Sequence, residues 1–360
     1  ETVEDLEGHV RPGEDGRVDM GAYESAPEFQ RSDYVPPPVV YVRADAPKGG
    51  DGTSWDRALS SIGYALWLGP KEIWVAGGTY KESVQMEEGV SIYGGFAGHE
   101  TALDQRDGTA HATIVDATGT GGAAVLGANH ARLDGFTLTG GSFSGVVCSD
   151  VNPTLAHCVI TGNRDSDHGG LYCERASPVL TGCVITGNTA IGEGSGGGVT
   201  CLELSSPRLE GCQILENRGL NAGALSCVNQ SSPTLINCVM ARNTGGWGGA
   251  AFIDDDPSRP NFIHCTITDN TPGPAGAAVY GRESQAVTLK NCIVWNPGPE
   301  FRKETGQNWE RQFIVTYSSV QGGWPGVGNL SAYPQFVDSS QGDYHLRNAS
   351  PCIDSATTAG

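Results

Sequence analysis

The sequence of 360 residues carries a formal net charge of −19, with 22 Lys and Arg against 41 Asp and Glu. This balance disfavours nucleic acid and anionic membrane as partners, because neutralising phosphate requires a basic face, and it disfavours acidic polysaccharide unless calcium bridges the charges. The 52 glycines and 3 methionines are typical of a turn-rich all-β protein, and no apolar run reaches the length of a membrane span.

The first 39 residues fall outside any repeated pattern. Residues 1–25 form an acidic, turn-rich segment, and residues 26–39 form a proline-rich linker that contains Pro36, Pro37 and Pro38. Such a linker is a semi-rigid spacer, so it would hold the first segment away from the rest of the chain. Because the chain opens on Glu1 without a signal peptide, we expect a processed product or an excised piece.

Residues 40–127 are predicted to contain a capping helix and the first, irregular coils of a solenoid. Ser54 is placed as the N-cap of this helix. Apolar residues follow it at helical spacing, at Ala58, Leu59, Ile62, Ala65 and Leu66. A single amphipathic helix has a clear role here, because the first coil of a repeat protein exposes an apolar end that a terminal element must cover.

One sequence pattern recurs six times between Asn152 and Asn296. Its copies are NPTLAHCVITGN, SPVLTGCVITGN, SPRLEGCQILEN, SPTLINCVMARN, RPNFIHCTITDN and AVTLKNCIVWN. Their cysteines recur every 25 to 29 residues, which is a solenoid period, at Cys158, Cys183, Cys212, Cys238, Cys265 and Cys292. The LxxLxL run and the helix of a leucine-rich repeat do not occur. Short alternating apolar segments between tight corners instead predict an all-β, right-handed, single-stranded parallel β-helix with three strands per coil.

Stacked coils bring each repeat position into a column, with about 4.8 Å between neighbours. An asparagine ladder is therefore predicted at the corner that follows each cysteine, formed by Asn163, Asn188, Asn217, Asn243 and Asn270. A second cysteine column is predicted on another strand, at Cys148, Cys173, Cys201 and Cys227. We interpret both cysteine columns as small buried hydrophobes with free thiols, whereas Cys352 stands outside them.

Residues 128–320 are predicted to be the regular coils, and residues 321–360 the last coils and an open end. No helical pattern comes after these coils, so we expect the final coil to lack a cap of its own. Natural sheets cover such edges, and some other element would therefore have to close this end.

Several motifs from residue 40 onward resemble a known family. They are YVRADAPKGGDGTSWDRAL, EIWVAGGTYKE, YGGFAGHETALDQRD, LDGFTLTGG, VTYSSVQGGWPGVGNL, PQFVD, GDYHL and SPCID. The chain resembles bacterial secreted and surface right-handed β-helix proteins of the choice-of-anchor type, which are similar to polymorphic outer-membrane-protein repeats. The resemblance implies an extracellular or cell-surface location and a role in adhesion, surface structure or carbohydrate contact. It offers no catalytic residues.

The closing motif of that family is displaced in this chain. In relatives, a stretch similar to DLEGHVRPGEDGRVDMGAYE comes after SPCID, whereas here it stands from Asp5 to Glu24, ahead of the domain. Folding back along some ten coils requires roughly 50 Å, and the linker reaches only roughly 40 Å. Strand donation to a neighbouring subunit fits better, and such a head-to-tail contact generates a filament.

We therefore expect a non-enzymatic structural subunit of an extracellular filament or surface array, with another copy of itself as its partner. The expected donor residues are Asp5, Leu6, Arg11, Pro12, Val18, Asp19, Met20, Gly21, Ala22 and Tyr23. The expected acceptor residues, on the last coil of the neighbour, are Tyr344, Leu346, Pro351, Cys352, Ile353 and Asp354.

Other interpretations are a fragment of a longer tandem array, a glycan-binding module that uses Trp247, Trp295 or acidic corners, and a polysaccharide lyase or glycoside hydrolase. An enzyme requires a calcium-binding acidic cluster beside a base, or paired carboxylates. The acidic candidates are Asp165 and Asp167 with His168 at one corner, and Asp254, Asp255 and Asp256 at another. His168 is also interpreted as a turn residue. No cofactor is expected except calcium at Asp254–Asp256, which would otherwise be a solvated edge.

Overall fold

A computed structural model describes residues 3–4, 10–11 and 35–356, except residues 48, 166–167, 193–194, 255–256, 275, 283–285 and 304–312. Three parallel sheets of 11, 10 and 9 strands run along the domain, and each regular coil contributes one strand to each of them. The predicted all-β parallel β-helix is therefore confirmed. A fourth, five-stranded sheet of two-residue strands at the asparagine corner was not predicted.

The strands are short because each coil turns after a few residues. The first sheet comprises Val39–Val42, Glu72–Ala76, Ser91–Phe96, Arg132–Asp134, Thr154–Ala156, Val179–Thr181, Arg208–Glu210, Thr234–Ile236, Asn261–Ile263, Val287–Lys290 and Phe313–Thr316. The second comprises Gly78–Tyr80, Thr113–Asp116, Phe136–Thr139, Val159–Thr161, Val184–Thr186, Gln213–Leu215, Val239–Ala241, Thr266–Thr268, Ile293–Trp295 and Ser319–Val320.

The third sheet comprises Val84–Gln85, Val125–Leu126, Val146–Ser149, Leu171–Glu174, Val199–Leu202, Leu225–Cys227, Gly248–Asp254, Ala277–Arg282 and Phe301–Lys303. The fourth comprises Arg164–Asp165, Thr189–Ala190, Arg218–Gly219, Thr244–Gly245 and Thr271–Pro272. Two antiparallel pairs lie outside these sheets, Val3–Glu4 with Val10–Arg11 and Phe336–Asp338 with Asp343–Leu346. Within the described residues, the helical elements are one α-helix, Ile62–Trp67, and the 3₁₀ turns Trp55–Arg57, Leu103–Gln105 and Ser339–Gln341.

The core consists of aliphatic columns that the sheet register aligns. In the second sheet, Ile160 pairs with Ile185, and Ile185 pairs with Ile214, all fully buried. Burying an aliphatic side chain of this size contributes about 1.5–3 kcal/mol. A one-residue slip would turn each column outward, so the period-2 pattern fixes the register.

The asparagine ladder continues beyond the five predicted positions. Each side-chain Oδ1 accepts from the backbone N–H and the Nδ2 of the asparagine one coil earlier, as between Asn188 and Asn217 at 3.0 Å for both bonds. Asn296 extends the column, and the buried Glu300 carboxylate ends it by accepting from the Asn296 backbone at 2.7 Å and from its Nδ2 at 2.8 Å. Burial raises the pKa of Glu300 to about 7.

All eleven cysteines are free, and ten of them are buried. The first column runs from Cys158 to Cys292 beside the turn between the first and second sheets, where each thiol lies near backbone carbonyls, as Cys158 Sγ lies 3.3 Å from the Ala156 oxygen. In the second column, Cys173 pairs in register with Cys148 and Cys201. Burial raises the pKa of Cys173 and of Cys227, which keeps these thiols protonated.

The predicted capping helix is present but shorter than expected. Leu59 is extended, because its backbone N–H donates to Tyr41 and its carbonyl accepts from Arg43, so the helix begins only at Ile62. Its N-cap is therefore Ser61, whose hydroxyl accepts from Tyr64 at 3.1 Å, whereas Ser54 precedes a 3₁₀ turn without a side-chain cap. The helix buries Ile62, Ala65 and Leu66 in the main core, as predicted for a cap.

The last coil is not bare, which corrects the expectation of an open end. Trp324 packs against Phe301 and Phe313, with ring centroids 4.6 and 6.0 Å away. The loop around Trp324 forms hydrogen bonds with backbone groups of the last strands. The Asn329 side chain donates to the Val315 carbonyl, and Leu330 forms a β-bridge with Ser319. The loop of residues 321–334 is therefore an internal cap.

Residues 336–346 turn back along the flank of the solenoid. The Tyr344 hydroxyl lies 3.2 Å from Arg242 Nη1 and 3.1 Å from Asp269 Oδ2, on two earlier coils. Tyr344 and Leu346, expected as acceptors on the last coil, therefore belong to a hairpin against the side of the domain. The other expected acceptors, Pro351, Cys352, Ile353 and Asp354, lie in the turn that comes after it.

Candidate functional site

The outer face of the third sheet carries an uneven row of side chains. The register aligns Tyr172 with Thr200, Thr200 with Ser226, and Ser226 with Phe252, and Tyr280 continues the row on the next coil. These residues alternate along each strand with the inward cysteines and aliphatic residues, so they point away from the core. Aromatic rings therefore stand at both ends of the row, with small polar residues in the middle.

The first aromatic cluster consists of Phe143, His168 and Tyr172. The His168 and Tyr172 rings are stacked with centroids 3.9 Å apart, and Phe143 meets both edge-on at 5.6 and 6.2 Å. Burial and the neighbouring carboxylates of Glu174 and Glu203 raise the pKa of Tyr172 to about 12, so its hydroxyl remains a hydrogen-bond donor. His168 thus belongs to an aromatic cluster.

The second aromatic cluster consists of Trp247, Phe252 and Tyr280. The Tyr280 ring lies 5.3 Å from Trp247 and 6.0 Å from Phe252, and the Arg282 guanidinium lies 5.7 Å from the Phe252 ring centroid. Phe252 and Tyr280 are buried, whereas Trp247 is 39% exposed. The indole is the ring of this cluster that is most accessible to a ligand.

Turns that lead into the third sheet cover the middle of the row. The hydroxyl of Thr200 accepts from the backbone of Gly196 at 3.0 Å, and Ala222 packs against Val228 and Phe252. Four apolar side chains on these turns remain exposed, and we call them the apolar stripe: Phe143 (43%), Ile191 (55%), Leu220 (45%) and Trp247 (39%). The stripe spans five successive coils, about 19 Å along the axis.

A charged corner borders the other side of this face. The Arg175 guanidinium binds Asp150 at 2.8 Å, Glu174 at 2.9 Å and also Glu203, and these hydrogen bonds raise the pKa of Arg175 above its ordinary value. Two coils beyond Glu203, Asp254 accepts a hydrogen bond at 2.9 Å from Nε of Arg282, which lies on the following coil. Each of these four carboxylates therefore has a guanidinium partner.

Of the residues expected to bind calcium or to act in catalysis, the structure describes Asp165, His168 and Asp254. The Asp254 carboxylate is paired with Arg282, and Asp255, Asp256 and Asp167 lie outside the described residues. Asp165 lies in the fourth sheet, at a different corner from Asp254, as the sequence predicted. Among the residues that the structure describes, no group of three or more metal-ligating side chains occurs.

Two further sets of residues were predicted to be functional: Trp295 as a glycan contact, and the donor residues of the first segment. The Trp295 ring packs edge-on against Tyr333 at 5.6 Å, away from the third sheet. Of the expected donors, only Arg11 lies within the described residues, in the strand pair Val3–Glu4 and Val10–Arg11. The donors Asp5, Leu6, Pro12, Val18, Asp19, Met20, Gly21, Ala22 and Tyr23 lie outside them.

The sequence interpretation missed a charged pocket at the turn between the first and second sheets. Its cavity of about 390 Å³ is lined by Arg106, Asp134, His157 and neighbouring residues. Asp134 Oδ1 lies 2.8 Å from Arg106 Nη2 and 3.2 Å from His157 Nδ1, and Asp134 Oδ2 lies 2.5 Å from Arg132 Nη2. These groups were unrecognised because Arg106 joins the pocket from a loop outside the repeats.

Comparison with known proteins identifies the class. Residues 110–294, just over half of the chain, match the family model described as right handed beta helix region, so this chain belongs to the right-handed β-helix family. No curated protein sequence matches it. No helix within the described ranges is long and apolar enough to cross a membrane.

Solved structures similar to this chain share its fold at low identity. Pectate lyase Pel9A is 11% identical over 89% of this chain and 91% of its own, with a TM-score of 0.62. A pectin methylesterase from Aspergillus niger is 16% identical over 81% and 93%, with a TM-score of 0.45. Tailspike protein gp49 of Acinetobacter baumannii bacteriophage Fri1, a capsular polysaccharide depolymerase, is 10% identical over 82% and 63%, with a TM-score of 0.42. The likeness to pectate lyase Pel9A, at 11% identity, supports a common fold only.

Proposed function

We propose that this β-helix is an extracellular glycan-binding protein that holds a polysaccharide chain along the outer face of its third sheet. The observation that carries the proposal is the apolar stripe, which begins and ends in half-exposed aromatic rings, Phe143 and Trp247. Exposed apolar side chains grouped along one face mark an interaction site.

The chemistry of this face suits sugar rings. A pyranose presents apolar C–H groups on its faces and hydroxyls at its rim, so it pairs with aromatic rings flanked by polar groups. The rings of Phe143 and Trp247 supply the first requirement, and the ion-paired Glu174, Arg175 and Asp254 supply the second. Because Arg175 and Arg282 already engage the carboxylates here, the proposal for this face is binding without catalysis.

Net charge narrows the class of glycan. A protein of net charge −19 repels polyanions at low ionic strength, which favours a neutral polysaccharide. Wild-type protein is expected to be retarded in a gel that contains a neutral β-glucan, and not in one that contains polygalacturonate. Retardation by polygalacturonate alone would contradict the proposed class of glycan.

A matched pair of variants tests the face itself. Trp247→Ala is expected to weaken binding of the neutral glycan about tenfold, the effect of losing one aromatic contact. Trp67→Ala serves as the control, because Trp67 is 43% exposed on the capping helix, which packs on the first coils, whereas Trp247 lies on a later coil. Equal binding by the two variants would show that the apolar stripe does not hold the glycan.

Head-to-tail assembly into a filament or surface array is the second proposed function. It is supported by apolar side chains that remain exposed on and beside the last coil, Ile314 (46%) and Val327 (67%). Residues 5–23, which resemble the displaced closing motif of choice-of-anchor proteins, would cover them in a neighbouring subunit. The acceptor surface in this proposal is therefore the last coil and its loop, and not Tyr344–Asp354.

Electron microscopy distinguishes this second function from the first. Filaments of the full chain that disappear when residues 1–33 are removed would support donation between subunits. Monodisperse rods from both proteins would exclude it, and would leave glycan binding by a single rod or by one unit of a tandem array.

A further inference from the structure

The charged pocket has the arrangement of an acid–base site. Asp134 is buried, with its side chain 2% exposed, whereas the His157 side chain is 64% exposed. Because the carboxylate faces Nδ1, the neutral imidazole carries its proton there and presents the Nε2 lone pair outward. An oriented imidazole at the edge of a cavity can accept a proton from water.

The surroundings keep the orienting carboxylate charged. Burial alone would raise the pKa of Asp134, but the hydrogen bonds from Arg132 and Arg106 hold it below its ordinary value. Arg106 also donates to the backbone oxygen of Gly94 at 3.3 Å, which fixes the guanidinium against the cavity. The pocket thus combines a fixed carboxylate, an imidazole and a positive charge in a protein of net charge −19.

The backbone and the next coil make room for the imidazole. His157 has φ 49°, in the left-handed region, at a corner where Gly135 and Gly182 occupy the same position one coil before and one coil after it. A Cβ at position 182 would lie 3.1 Å from His157 Cδ2, so glycine there accommodates the ring. The left-handed turn recurs at this corner in successive coils, so the fold accommodates a histidine there.

We propose that the Asp134–His157 pair, with Arg106, hydrolyses a small acyl ester. His157 Nε2 takes a proton from water as the water oxygen attacks the carbonyl carbon, and Arg106 stabilises the oxyanion that forms. The C–O bond to the alcohol then breaks, and protonated His157 returns the proton to the departing oxygen. The products are a carboxylic acid and an alcohol, and Asp134 acts throughout as a positioning residue.

The chain contains its own control for this proposal. His264 occupies the same corner position four coils further on, also with φ 53°, but its Nε2 faces the side-chain amide of Asn291 at 3.3 Å. His157→Asn is compatible with the fold, because Asn237 and Asn291 already occupy equivalent corners in the left-handed conformation. His264→Asn is the matched change at a corner where the imidazole faces an amide instead of a carboxylate.

Hydrolysis of p-nitrophenyl acetate by the full chain provides the test. His157→Asn should lower kcat/KM about 100-fold, and His264→Asn should leave it within twofold. Asp134→Asn should lower kcat with KM within twofold, provided that its melting curve shows a folded protein; if it does not fold, His157→Asn decides.

Three results would overturn the proposal: no hydrolysis by the wild-type chain above the rate in buffer, activity of His157→Asn within twofold of wild type, or an equal loss in His264→Asn. Neutral-glycan retardation should be unchanged in His157→Asn, because the pocket lies at a different corner from the apolar stripe. Failure of the esterase proposal and failure of the glycan-binding proposal are therefore separate outcomes.

Discussion

Two corner positions of the β-helix contrast: the asparagine of the ladder and the left-handed turn residue between the first and second sheets. The ladder position holds asparagine in six successive coils, and each of these asparagines is at most 2% exposed. At the corner between the first and second sheets, the turn residue itself varies: Gly135, His157, Gly182, Gly211, Asn237, His264, Asn291 and Tyr317. The ladder position is buried and uniform, and the turn position between the first and second sheets is accessible and varied.

The contrast indicates which positions of a solenoid can vary and can therefore hold a catalytic or binding residue. A buried amide in the ladder must satisfy hydrogen bonds of its neighbours, so every coil requires the same side chain. The other corner needs only a residue that tolerates positive φ, because the side chain points to solvent. This position therefore holds His157 in one coil and glycine in the coils before and after it.

The largest effect is expected from breaking the ladder. Asn217→Ala removes the acceptor for two bonds from Asn188 and the donor to the Ile185 carbonyl at 2.8 Å. Buried groups left without partners should lower the free energy of unfolding by about 3 kcal/mol or more. Urea denaturation measures this change, with Asn348→Ala on an exposed turn as a control expected to fall within about 0.5 kcal/mol of wild type.

A smaller, local effect is expected at the internal cap. Trp324→Ala removes the ring that packs on Phe301 and Phe313. Because Trp324 is only partly buried, we expect a loss of about 2 kcal/mol, below that of a core aromatic residue. Hydrogen exchange should quicken in residues 313–330 and stay unchanged in the coils around Asn217; uniform quickening would instead indicate that the whole rod unfolds as one unit.

The end of the ladder should make stability depend on pH. The pKa of Glu300 is raised to about 7 in the folded protein, against 4.5 ordinarily, so the folded state binds the proton more tightly than the unfolded state. This contribution is full below pH 4.5 and is lost as pH rises through 7, by up to about 3 kcal/mol. The wild-type free energy of unfolding should fall from pH 5 to pH 8 by more than that of Glu300→Gln; equal slopes would rule out this role.

The smallest effect is expected from a glycine substitution at the left-handed turn position between the first and second sheets. Asn237 is exposed with φ 53°, so Asn237→Gly should change the free energy of unfolding by less than about 0.5 kcal/mol. Asn237→Val places a β-branched residue in the same conformation and should cost about 1–3 kcal/mol. A large loss in the glycine variant would show that this corner depends on its side chains, and the contrast between the two corners would not hold.

The repeated part of the fold was predictable because its determinants are local and periodic. Alternating apolar residues and the recurring Cys and Asn positions specify parallel strands in register, without reference to any distant residue. The missed ladder end, Asn296 and Glu300, could have been found by extending the asparagine column by one coil. The helix start was misplaced because Leu59 is held extended by Tyr41 and Arg43, and helical spacing alone does not contain that contact.

The sequence by itself determined the β-helix, its columns of buried asparagine and cysteine, and the need for a cap at each end. Only the tertiary structure decided that Trp324 closes the last coil, that Tyr344 binds the flank beside Arg242, and that Arg106 and His157 both meet Asp134. Each of these contacts joins a loop to coils that the repeat pattern does not relate to it. Periodicity encodes which residues stack, whereas the position of a loop depends on the surface already formed.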